Sequence, residues 1–457
     1  MSTQNIAAVI LAAGKGTRMK SSCPKVLHHL AGAPLAAYPI HLANKLSCSP
    51  TVVVVGHQSE QVKEQFSGQH IVFVAQEQQL GTGHALQMTQ NALSAFSGTL
   101  LLLCGDVPLL QLETLEKLIS EHTQAGATVS VLTTNMNNPT GYGRIVRHGN
   151  NVERIVEDKD ATAQEKTICE VNTGIYAFEA PLAFELLQQI GNSNAQGEYY
   201  LTDIIALASE RGHKVCASML DNPDEAMGIN DRVQLSQAAT ILRSRINYGH
   251  MLAGVTLIDP DNTYIDSTVT IGQDTTIYPG AHLRGDTRIG NNCTIETAVV
   301  IDSCSIADHS LIKAGSALEE STLGEHSTIG PMAHLRPGTV LHGHNKIGNF
   351  VETKKAVIGL HSQASHLTYI GDADLGQNVN LGCGTITCNY DGINKHKTVI
   401  EDGVFVGSDT QLIAPVTIGR NSLIGAGSTI TKDVPGDALA LSRTTQKIIP
   451  GWRKRQK

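Results

Sequence analysis

A glycine-containing loop near the start of the chain has residue types suited to holding a polyphosphate. The segment Leu11-Ala12-Ala13-Gly14-Lys15-Gly16-Thr17-Arg18-Met19 follows a short apolar run, and Pro24-Lys25 comes shortly after it. The glycines let the backbone approach a phosphate chain and aim successive N–H groups at it. Arg18 and Lys25 would place positive charge where a departing pyrophosphate gains negative charge. The spacing matches neither a Walker A loop nor a Gly-x-Gly-x-x-Gly fingerprint, and a lone Gly-x-Gly turn is often only structural.

A carboxylate follows a second apolar run, Leu100–Cys104, in the segment Gly105-Asp106-Val107-Pro108. A buried strand would deliver Asp106 to its carboxyl end, where ligands of open α/β sheets bind. A carboxylate there can hold Mg²⁺ against nucleotide phosphates. An aspartate in this position can also cap a turn or a helix, but its presence on one sheet with the glycine-containing loop favours a functional role.

The second half of the chain offers a different chemistry, centred on histidine. Polar residues gather between about residues 351 and 397, where a regular repeat is interrupted. Such an interruption indicates either a functional loop or an insertion that the fold accommodates without a function. A histidine in such a stretch can act as a general base, because imidazole takes up protons near neutral pH, although a lone histidine is usually a solvated surface residue. The polar residues of this stretch are Lys354, Lys355, His361, His366, Tyr369, Asn378, Asn380, Asn389 and Tyr390.

The elements that would position the first group of residues form an α/β pattern up to residue 230. Short apolar or β-branched runs alternate with amphipathic segments, which predicts a Rossmann-like domain with a parallel sheet between layers of helices. The predicted strands are Ile6–Ala12, Thr51–Val55, Ile71–Ala75, Thr99–Cys104 and Thr128–Thr133, and the predicted helices are Gln58–Phe66, His84–Ala95 and Leu112–Ala125.

The elements that would carry His366 belong to a six-residue repeat. Aliphatic residues recur at this spacing from residue 265 to 301, again from 323 to 347, and again from 400 to 430. A six-residue period is typical of a parallel β-helix, in which each hexapeptide supplies one short strand and one turn. Residues 231–252 carry apolar residues at helical spacing. The sequence therefore predicts a first domain over 1–230, a connecting helix over 231–252 and a β-helix over 253–457.

Composition excludes several classes of protein. The 457 residues include 41% hydrophobic and 17% charged residues, as in a folded globular protein. The net charge of −8 argues against a nucleic-acid partner, and the basic residues at the C-terminus are interpreted as a solvated tail. No run approaches the ~20 apolar residues of a membrane span, no signal peptide is evident, and the cysteines form no Cys-x-x-Cys pair. These features predict a cytoplasmic location.

Several motifs together resemble one family over essentially the whole chain. The phosphate loop, Gln79–Ala85 and Gly105–Pro108 are similar to the sugar-1-phosphate nucleotidyltransferases. Further motifs narrow the resemblance to the bifunctional N-acetylglucosamine-1-phosphate uridylyltransferases/glucosamine-1-phosphate acetyltransferases. They are Tyr142-Gly143-Arg144, Ile155-Val156-Glu157, Val171–Gly174, Gly197–Asp203, Gly228–Arg232, Leu335–Gly338, Phe350–Lys355, His366–Tyr369 and Asn389–Gly392.

For the first site, the resemblance implies uridylyl transfer from UTP to N-acetylglucosamine-1-phosphate. Asp106 and Asn230 are then expected to hold Mg²⁺, and Arg18 and Lys25 to assist the reaction. The residues expected to bind the nucleotide or the sugar are Leu11, Ala12, Ala13, Gly14, Lys25, Gln76, Gly81, Thr82, Cys104, Gly105, Asp106, Gly143, Glu157, Asn172 and Asn230.

For the second site, the resemblance implies acetyl transfer from acetyl-CoA to glucosamine-1-phosphate, with His366 as the base and Glu352 as a weaker candidate to orient or tune it. It also implies a left-handed β-helix and a homotrimer whose subunits share the site. Cys383 stands where alanine is usual, and its thiol is expected to be buried. Arg336, Lys354, Tyr369 and Asn380 are expected to bind the sugar phosphate, and Cys383, Asn389, Tyr390, Ser408, Ala426 and Arg443 to bind acetyl-CoA.

Two alternatives remain open at this stage. In one, the β-helix only oligomerises or regulates a single nucleotidyltransferase; the presence of His366, Tyr369 and Asn389-Tyr390 argues against it. In the other, the chain is a non-catalytic assembly subunit. Such a subunit would not need Lys25, Asp106 and the phosphate loop together.

Overall fold

The computed structural model describes residues 5–453, and the chain divides into two compact units, Met1–Leu242 and Arg243–Lys457. Within 5–453, no helix is both long enough and apolar enough to cross a membrane. The tail residues Lys454, Arg455 and Lys457 lie outside the described part of the chain.

The first unit is built on one central sheet whose buried strands carry the apolar runs seen in the sequence. Its strands, in chain order with a small hairpin β2–β3, are β1 (Ile6–Ala12), β2 (His29–Leu30), β3 (Ala33–Pro34), β4 (Thr51–Val55), β5 (Val72–Ala75), β6 (Thr99–Cys104), β7 (Val129–Asn135), β8 (Arg144–His148), β9 (Asn151–Val156), β10 (Glu170–Glu179) and β11 (Val215–Met219).

The order of the sheet explains why distant motifs meet. It runs β11-β7-β10-β6-β1-β4-β5, with the β8–β9 hairpin joined to β10. Strands β1 and β6 are parallel neighbours with Leu11 opposite Cys104, so the loops after them lie side by side. The expected parallel sheet also contains antiparallel pairs, in the β8–β9 hairpin and at β10. β10 runs antiparallel to β6 and β7, because it follows the β8–β9 hairpin rather than a crossover helix.

Helices flank this sheet, and one is shorter than expected. Helix α3 ends at Gln87, not near Ala95, and turns follow it. The Thr89 hydroxyl donates to the Leu86 carbonyl at 2.7 Å, and such side-chain bonds compete with helical ones. The helices are α1 (Ala37–Lys45), α2 (Ser59–Gln65), α3 (Thr82–Gln87), α4 (Leu112–Ala125), α5 (Ala180–Leu187) and α6 (Asp203–Glu210); α7 (Arg232–Leu252) follows them and continues past Leu242, the last residue of this unit.

The second unit is the predicted parallel β-helix, with a single aliphatic core. Every named strand pair in it is parallel, and the repeated Ile, Leu and Val side chains fill the interior. One strand from each coil forms what we name the first face. Its strands are Thr256–Leu257, Thr276–Ile277, Thr294–Ile295, Leu311–Ile312, Thr328–Ile329, Lys346–Asn349, Gln363–His366, Asn380–Leu381, Phe405–Val406, Leu423–Ile424 and Leu439–Ala440.

The other two faces belong to one continuous sheet, and Glu352–Ile358 and Tyr369–Leu375 run through both of them. The second face has Tyr264–Ile265, His282–Arg284, Val300–Asp302, Ala317–Glu319, His334–Leu335, Ile386–Cys388, Gln411–Ile413 and Thr429–Ile430. The third face has Thr270–Ile271, Arg288–Ile289, Ser305–Ile306, Thr322–Leu323, Val340–Leu341, Thr398–Ile400 and Val416–Ile418.

The interruption of the repeat is smaller than the sequence indicated. On the first face, Gln363 pairs with Asn380, 17 residues later, and Phe405 pairs with Leu423, 18 residues later. Asn380 pairs with Phe405, 25 residues later. Residues 351–388 therefore continue the coils, and the extra residues form one loop over 389–397. The phase shifts elsewhere come from corners one residue shorter, which the β-helix absorbs without losing its core.

Candidate active sites

The first site is a cavity of about 470 Å³ at the carboxyl ends of β1 and β6. This size falls within the roughly 300–1,000 Å³ of ligand pockets. The wall includes most of the predicted nucleotide residues, while Arg18 is exposed and is not part of it. The lining residues are Leu11, Ala12, Ala13, Gly14, Lys15, Lys25, Val26, Gln76, Gln79, Gly81, Thr82, Ala85, Cys104, Asp106 and Glu198.

The phosphate loop is shaped by its two glycines in different ways. A Cβ at Gly14 would meet no atom within 4 Å, so the backbone there borders open space. Gly16 has φ +59°, and a Cβ on it would lie 2.6 Å from the Cβ of Lys25. Gly16 therefore lets the segment that carries Lys25 pack against the loop.

Lys25 is the centre of the charged part of this cavity. Its side chain is 12% exposed, and its Nζ contacts Oδ2 of Asp106 and donates to Oδ1 of Asn230 at 3.1 Å. Asn230 is brought there because the backbone N–H of Ile229 donates to the Asp106 carbonyl at 2.9 Å. Two oxygens from residues far apart in sequence thus converge on one cation.

Cys104 forms the floor of the cavity beside Asp106. Burial, reinforced by the Asp106 carboxylate, raises the pKa of the Cys104 thiol to about 12. The thiol is therefore neutral, and it donates to the Gly174 carbonyl at 3.4 Å. Gly105 does not line the cavity; its N–H donates to the Leu11 carbonyl at 2.9 Å and ties the two strand ends together.

The three predicted sugar-binding residues form a second cluster. A Cβ on Gly143 would lie 3.7 Å from both the Asn172 Cβ and Oε1 of Glu157, and Gly143 accepts from the Asn172 N–H at 2.9 Å. A register shift in β10 after Asn172, with Gly174 at φ +80°, bends the strand there. These residues are outside the wall of the main cavity.

Hydrogen bonds connect this second cluster, Gly143, Glu157 and Asn172, to the cavity wall. Thr202 Oγ1 donates to Oε1 of Glu157 at 3.0 Å, and the next residue back, Leu201, donates its N–H to Thr82 Oγ1 at 3.2 Å. Burial raises the pKa of Glu157, and the nearby carboxylates of Asp203, Asp160 and Asp158 add to the effect. An uncharged hydroxyl donor, such as a sugar OH, would suit this carboxyl group.

The second site is an exposed face of the β-helix rather than a cavity. Arg336 Nη1 lies 2.8 Å from Oε1 of Glu352, and Glu352 is directly opposite Tyr369 in the neighbouring strand. A Cβ on Gly371 would lie 2.5 Å from the Tyr369 hydroxyl, and Gly371 is opposite Lys354. The second face therefore brings Arg336, Lys354 and Tyr369 together, whereas Asn380 lies on the first face.

The cations of this face lower the pKa of Lys354. The largest contribution comes from Lys395, followed by Arg336. Positive groups that repel one another in this way favour an anion between them. Lys395 was missed in the sequence, where it looks like one more loop lysine; the signal that could have found it is its place in the inserted loop 389–397.

His366 is exposed, and its Nδ1 lies 2.7 Å from Oδ1 of Asn349. With the Asn349 oxygen as the acceptor, Nδ1 is the donor in this contact, and Nε2 is the ring nitrogen left for a substrate. Among residues 5–453, the contact that could orient the His366 ring comes from Asn349 and not from Glu352. Asn349 and His366 are paired on the first face, while Glu352 is on the second face and pairs with Arg336.

Four of the six predicted acetyl-CoA residues follow one corner of the β-helix, directly after the first face. The Cys383 carbonyl accepts from Asp409 N–H at 2.7 Å, and the Ser408 carbonyl accepts from Gly427 N–H at 2.8 Å. Ala426 follows in the next coil, and Arg443 Nη2 would lie 3.5 Å from a Cβ on Gly425. The Cys383 side chain is half-exposed, so the expectation of a buried thiol is wrong; its corner faces outward.

The remaining two, Asn389 and Tyr390, belong to the inserted loop. Asn389 Nδ2 donates to Asp372, and Tyr390 is bridged to Lys395 across the loop. Asp391 braces the turn: the backbone N–H of Asn394, then His396 and the N–H of Ile393, lower its pKa to about 2.

Comparisons with known proteins give matches for both units of the chain. Residues 8–166 match the MobA-like NTP transferase domain, 261–366 the GMPPB C-terminal domain, and 397–432 the bacterial transferase hexapeptide (six repeats). The chain is 63% identical over 455 residues to the "Bifunctional protein GlmU" of Syntrophotalea carbinolica, covering 100% of this chain and 98% of the relative. Proteins of that name from Pelobacter propionicus (99% of each chain covered) and Halalkalibacterium halodurans (96% of each) are 56% and 48% identical.

Full-length identity of this order, together with a nucleotidyltransferase and a hexapeptide domain in the same chain, shows the family. The chain belongs to the GlmU family and is a bifunctional enzyme, a uridylyltransferase joined to an acetyltransferase.

Proposed function

We propose that the two sites perform successive steps in the synthesis of UDP-N-acetylglucosamine. The β-helix face transfers an acetyl group from acetyl-CoA to glucosamine-1-phosphate, and the cavity couples the N-acetylglucosamine-1-phosphate to UTP with release of pyrophosphate. The observation that carries this proposal is the convergence of Lys25, Asp106 and Asn230 beside the phosphate loop.

The residues around Lys25 fit Mg²⁺. Asp106 and Asn230 offer a carboxylate and an amide oxygen, which are hard ligands, and both already contact one cationic group. Among residues 5–453, no three His, Cys, Asp or Glu side chains group as a metal site, so phosphate oxygens and water would complete the coordination. When bound, Mg²⁺ neutralises charge on the triphosphate.

The chain itself positions the uridylyl transfer. Loop amides from Leu11 to Gly14 and the Lys25 ammonium hold the triphosphate, while Gly143, Glu157 and Asn172 hold the sugar. A phosphate oxygen of the sugar attacks the α-phosphorus of UTP in line, and the bond to pyrophosphate breaks. No general base is required, because the attacking oxygen is already anionic. Arg18, exposed on the loop, would reach the leaving group only by moving inward.

The acetyl transfer needs a base, and we assign this role to His366, which is exposed. Nε2 of His366 takes a proton from the 2-amine of glucosamine-1-phosphate as the nitrogen attacks the thioester carbonyl and coenzyme A departs. Arg336, Lys354 and Lys395 would bind the phosphate, and Tyr369 and Asn380 would contact the sugar. The corner from Cys383 to Arg443, with Asn389 and Tyr390, would hold acetyl-CoA.

We propose that this second site is completed in a homotrimer. Its groups are open in the single chain, and Met332, Phe350 and Leu367 form an exposed apolar column beside His366, at 58%, 55% and 57% exposure. Three large apolar side chains in line are costly to leave in water. A neighbouring subunit would cover them and wall the site.

One assay tests the two activities together. The enzyme is incubated with glucosamine-1-phosphate, acetyl-CoA, UTP and Mg²⁺, and each component is then omitted in turn. We expect UDP-N-acetylglucosamine to form only when all four components are present. Added N-acetylglucosamine-1-phosphate should remove the need for glucosamine-1-phosphate and acetyl-CoA. Uridylyl transfer without any acetylation would leave only the N-terminal activity, and dependence on no divalent cation would contradict the metal assignment.

A further inference from the structure

Gln76 in the cavity wall has an amide whose orientation is decided by its neighbours. The residue follows β5, and its side chain is 3% exposed. Nε2 lies 3.0 Å from the carbonyl oxygen of Gly81 and 3.0 Å from Nδ1 of His84. A backbone carbonyl only accepts, so the end of the amide that faces Gly81 must be the –NH₂ group.

This orientation determines the protonation of His84. Both protons of the Gln76 –NH₂ group are used, one by the Gly81 carbonyl and one by the His84 ring. Nδ1 must therefore carry a lone pair, and the ring proton is on Nε2. His84 is half-buried and does not line the cavity, so it acts on the cavity only through Gln76.

The oxygen of the Gln76 amide, Oε1, is available to a ligand in the cavity. Oε1 of Gln76 accepts no hydrogen bond from residues 5–453, and Gln76 lines the cavity with Gln79, Gly81 and Thr82. An acceptor held at a cavity wall favours a ligand that presents an N–H group, and it disfavours one that presents a lone pair. Uracil has an N–H at N3, whereas N3 of cytosine is a bare acceptor.

We propose that His84 is a positioning residue for pyrimidine selectivity: its unprotonated Nδ1 holds the Gln76 amide so that Oε1 faces the base and selects UTP over CTP. This inference rests on the proposed uridylyl transfer. It assigns His84 no contact with the substrate. The Gly81 carbonyl opposes a flip of the amide, and His84 supplies the second restraint.

Two variants of similar size test this role. His84→Asn keeps an acceptor, since its Oδ1 occupies the place of Nδ1, and His84→Leu removes it. We expect His84→Leu to lower the ratio of kcat/KM for UTP to that for CTP by about three- to tenfold, the value of one neutral hydrogen bond. The change should be mainly in the KM for UTP. His84→Asn should keep the ratio within about twofold of wild type, again because one such bond is retained.

The outcomes separate this role from others. A general loss of packing would lower both kcat/KM values together and leave the ratio unchanged, which would overturn the proposal, as would equal ratios in the two variants. Acetyl transfer is measured on the same preparations, and a normal rate shows that the variant chain is folded and intact. If His84→Leu lacks a cooperative unfolding transition, His84→Ala carries the same expectation. Failure of wild type to use UTP would instead refute the proposed function itself.

Discussion

In the first unit, Lys25 is 12% exposed and is held between Asp106 and Asn230, whereas in the second unit Lys354 faces solvent beside other cations. Both lysines are assigned to phosphate groups, but their surroundings differ because the two folds place side chains differently. An open α/β sheet collects loops from several strand ends into one crevice. A β-helix repeats the same outward position coil after coil, so its sites are rows on a surface.

The two units differ in how much of a site one chain encloses: the first unit forms a cavity, whereas the second unit presents an open face. The cavity has a floor at Cys104, a loop at Leu11–Gly14 and a cation at Lys25. The β-helix carries the proposed base His366 and a row of cations, and within residues 5–453 no wall encloses them. Variants that affect one activity and spare the other test whether the two sites are as independent as this contrast implies.

The largest effect is expected for His366→Ala. Loss of a positioned general base should lower acetyl transfer by about 10²- to 10⁴-fold. Uridylyl transfer from N-acetylglucosamine-1-phosphate should stay at the wild-type rate, because the base is not part of the cavity. Separate assays of coenzyme A release and pyrophosphate release measure the two activities. Unchanged acetylation would refute the assignment of the base, and a matched His361→Ala control should retain both.

The reciprocal variant is Asp106→Asn. It keeps the shape of the side chain but removes the charge that faces Lys25, and we expect uridylyl transfer to fall by about 10²- to 10³-fold. Acetyl transfer should be unaffected. When Mg²⁺ is titrated in the pyrophosphate-release assay, the variant should also need a higher Mg²⁺ concentration for half-maximal activity. Wild-type activity of this variant would mean that Asp106 has no part in the reaction.

Phe350→Asp tests whether the open site needs a neighbouring subunit. A carboxylate in the middle of the apolar column should prevent a buried contact there. We expect a smaller assembly by light scattering and a loss of acetyl transfer of at least about tenfold, a modest loss for an interface residue of this kind. Uridylyl transfer should persist. A variant that remains assembled and fully active would contradict the proposal, while Phe405→Asp on the first face serves as a comparison outside the column.

A smaller effect is expected for Lys354→Ala and Lys395→Ala. Each removes one cation of the second site, so the KM for glucosamine-1-phosphate should rise by about three- to tenfold, with little change in kcat. The wild-type KM should rise with salt, and each variant should show a weaker dependence. Lys355→Ala, one residue along the strand, is the matched control. A change in kcat alone would point to a role in chemistry instead.

The smallest effect is expected for Glu157→Gln, on stability. Folding raises the pKa of Glu157, so ionising this residue costs the native state free energy. That cost is absent below the ordinary glutamate pKa and grows as the pH rises to the folded pKa. The variant keeps the acceptor for Thr202 and should melt about 1–3 °C higher at neutral pH. The difference should vanish in acid, and the KM for the sugar phosphate should increase.

Much of the fold was predictable because it depends on local patterns. The strands of the α/β unit and the coils of the β-helix follow the apolar periodicity, and β1, β4 and β6 have the predicted bounds. The antiparallel β10 and the early end of α3 were not predictable. The first depends on which strands pair, and the second depends on the Thr89 hydroxyl taking a carbonyl from the helix.

The sequence by itself determined the residue types and the segments in which they lie: the glycines and Lys25 of the phosphate loop, Asp106 after its strand, and His366 in the polar stretch of the β-helix. Only the tertiary structure decided their partners. It brings Lys25 within hydrogen-bond distance of Asn230, more than two hundred residues away, pairs His366 with Asn349 instead of Glu352, and sets the Gln76 amide against the Gly81 carbonyl and His84. Periodicity records which side of an element is buried, but a hydrogen bond depends on the register between elements, and register is set by the packing of the whole unit.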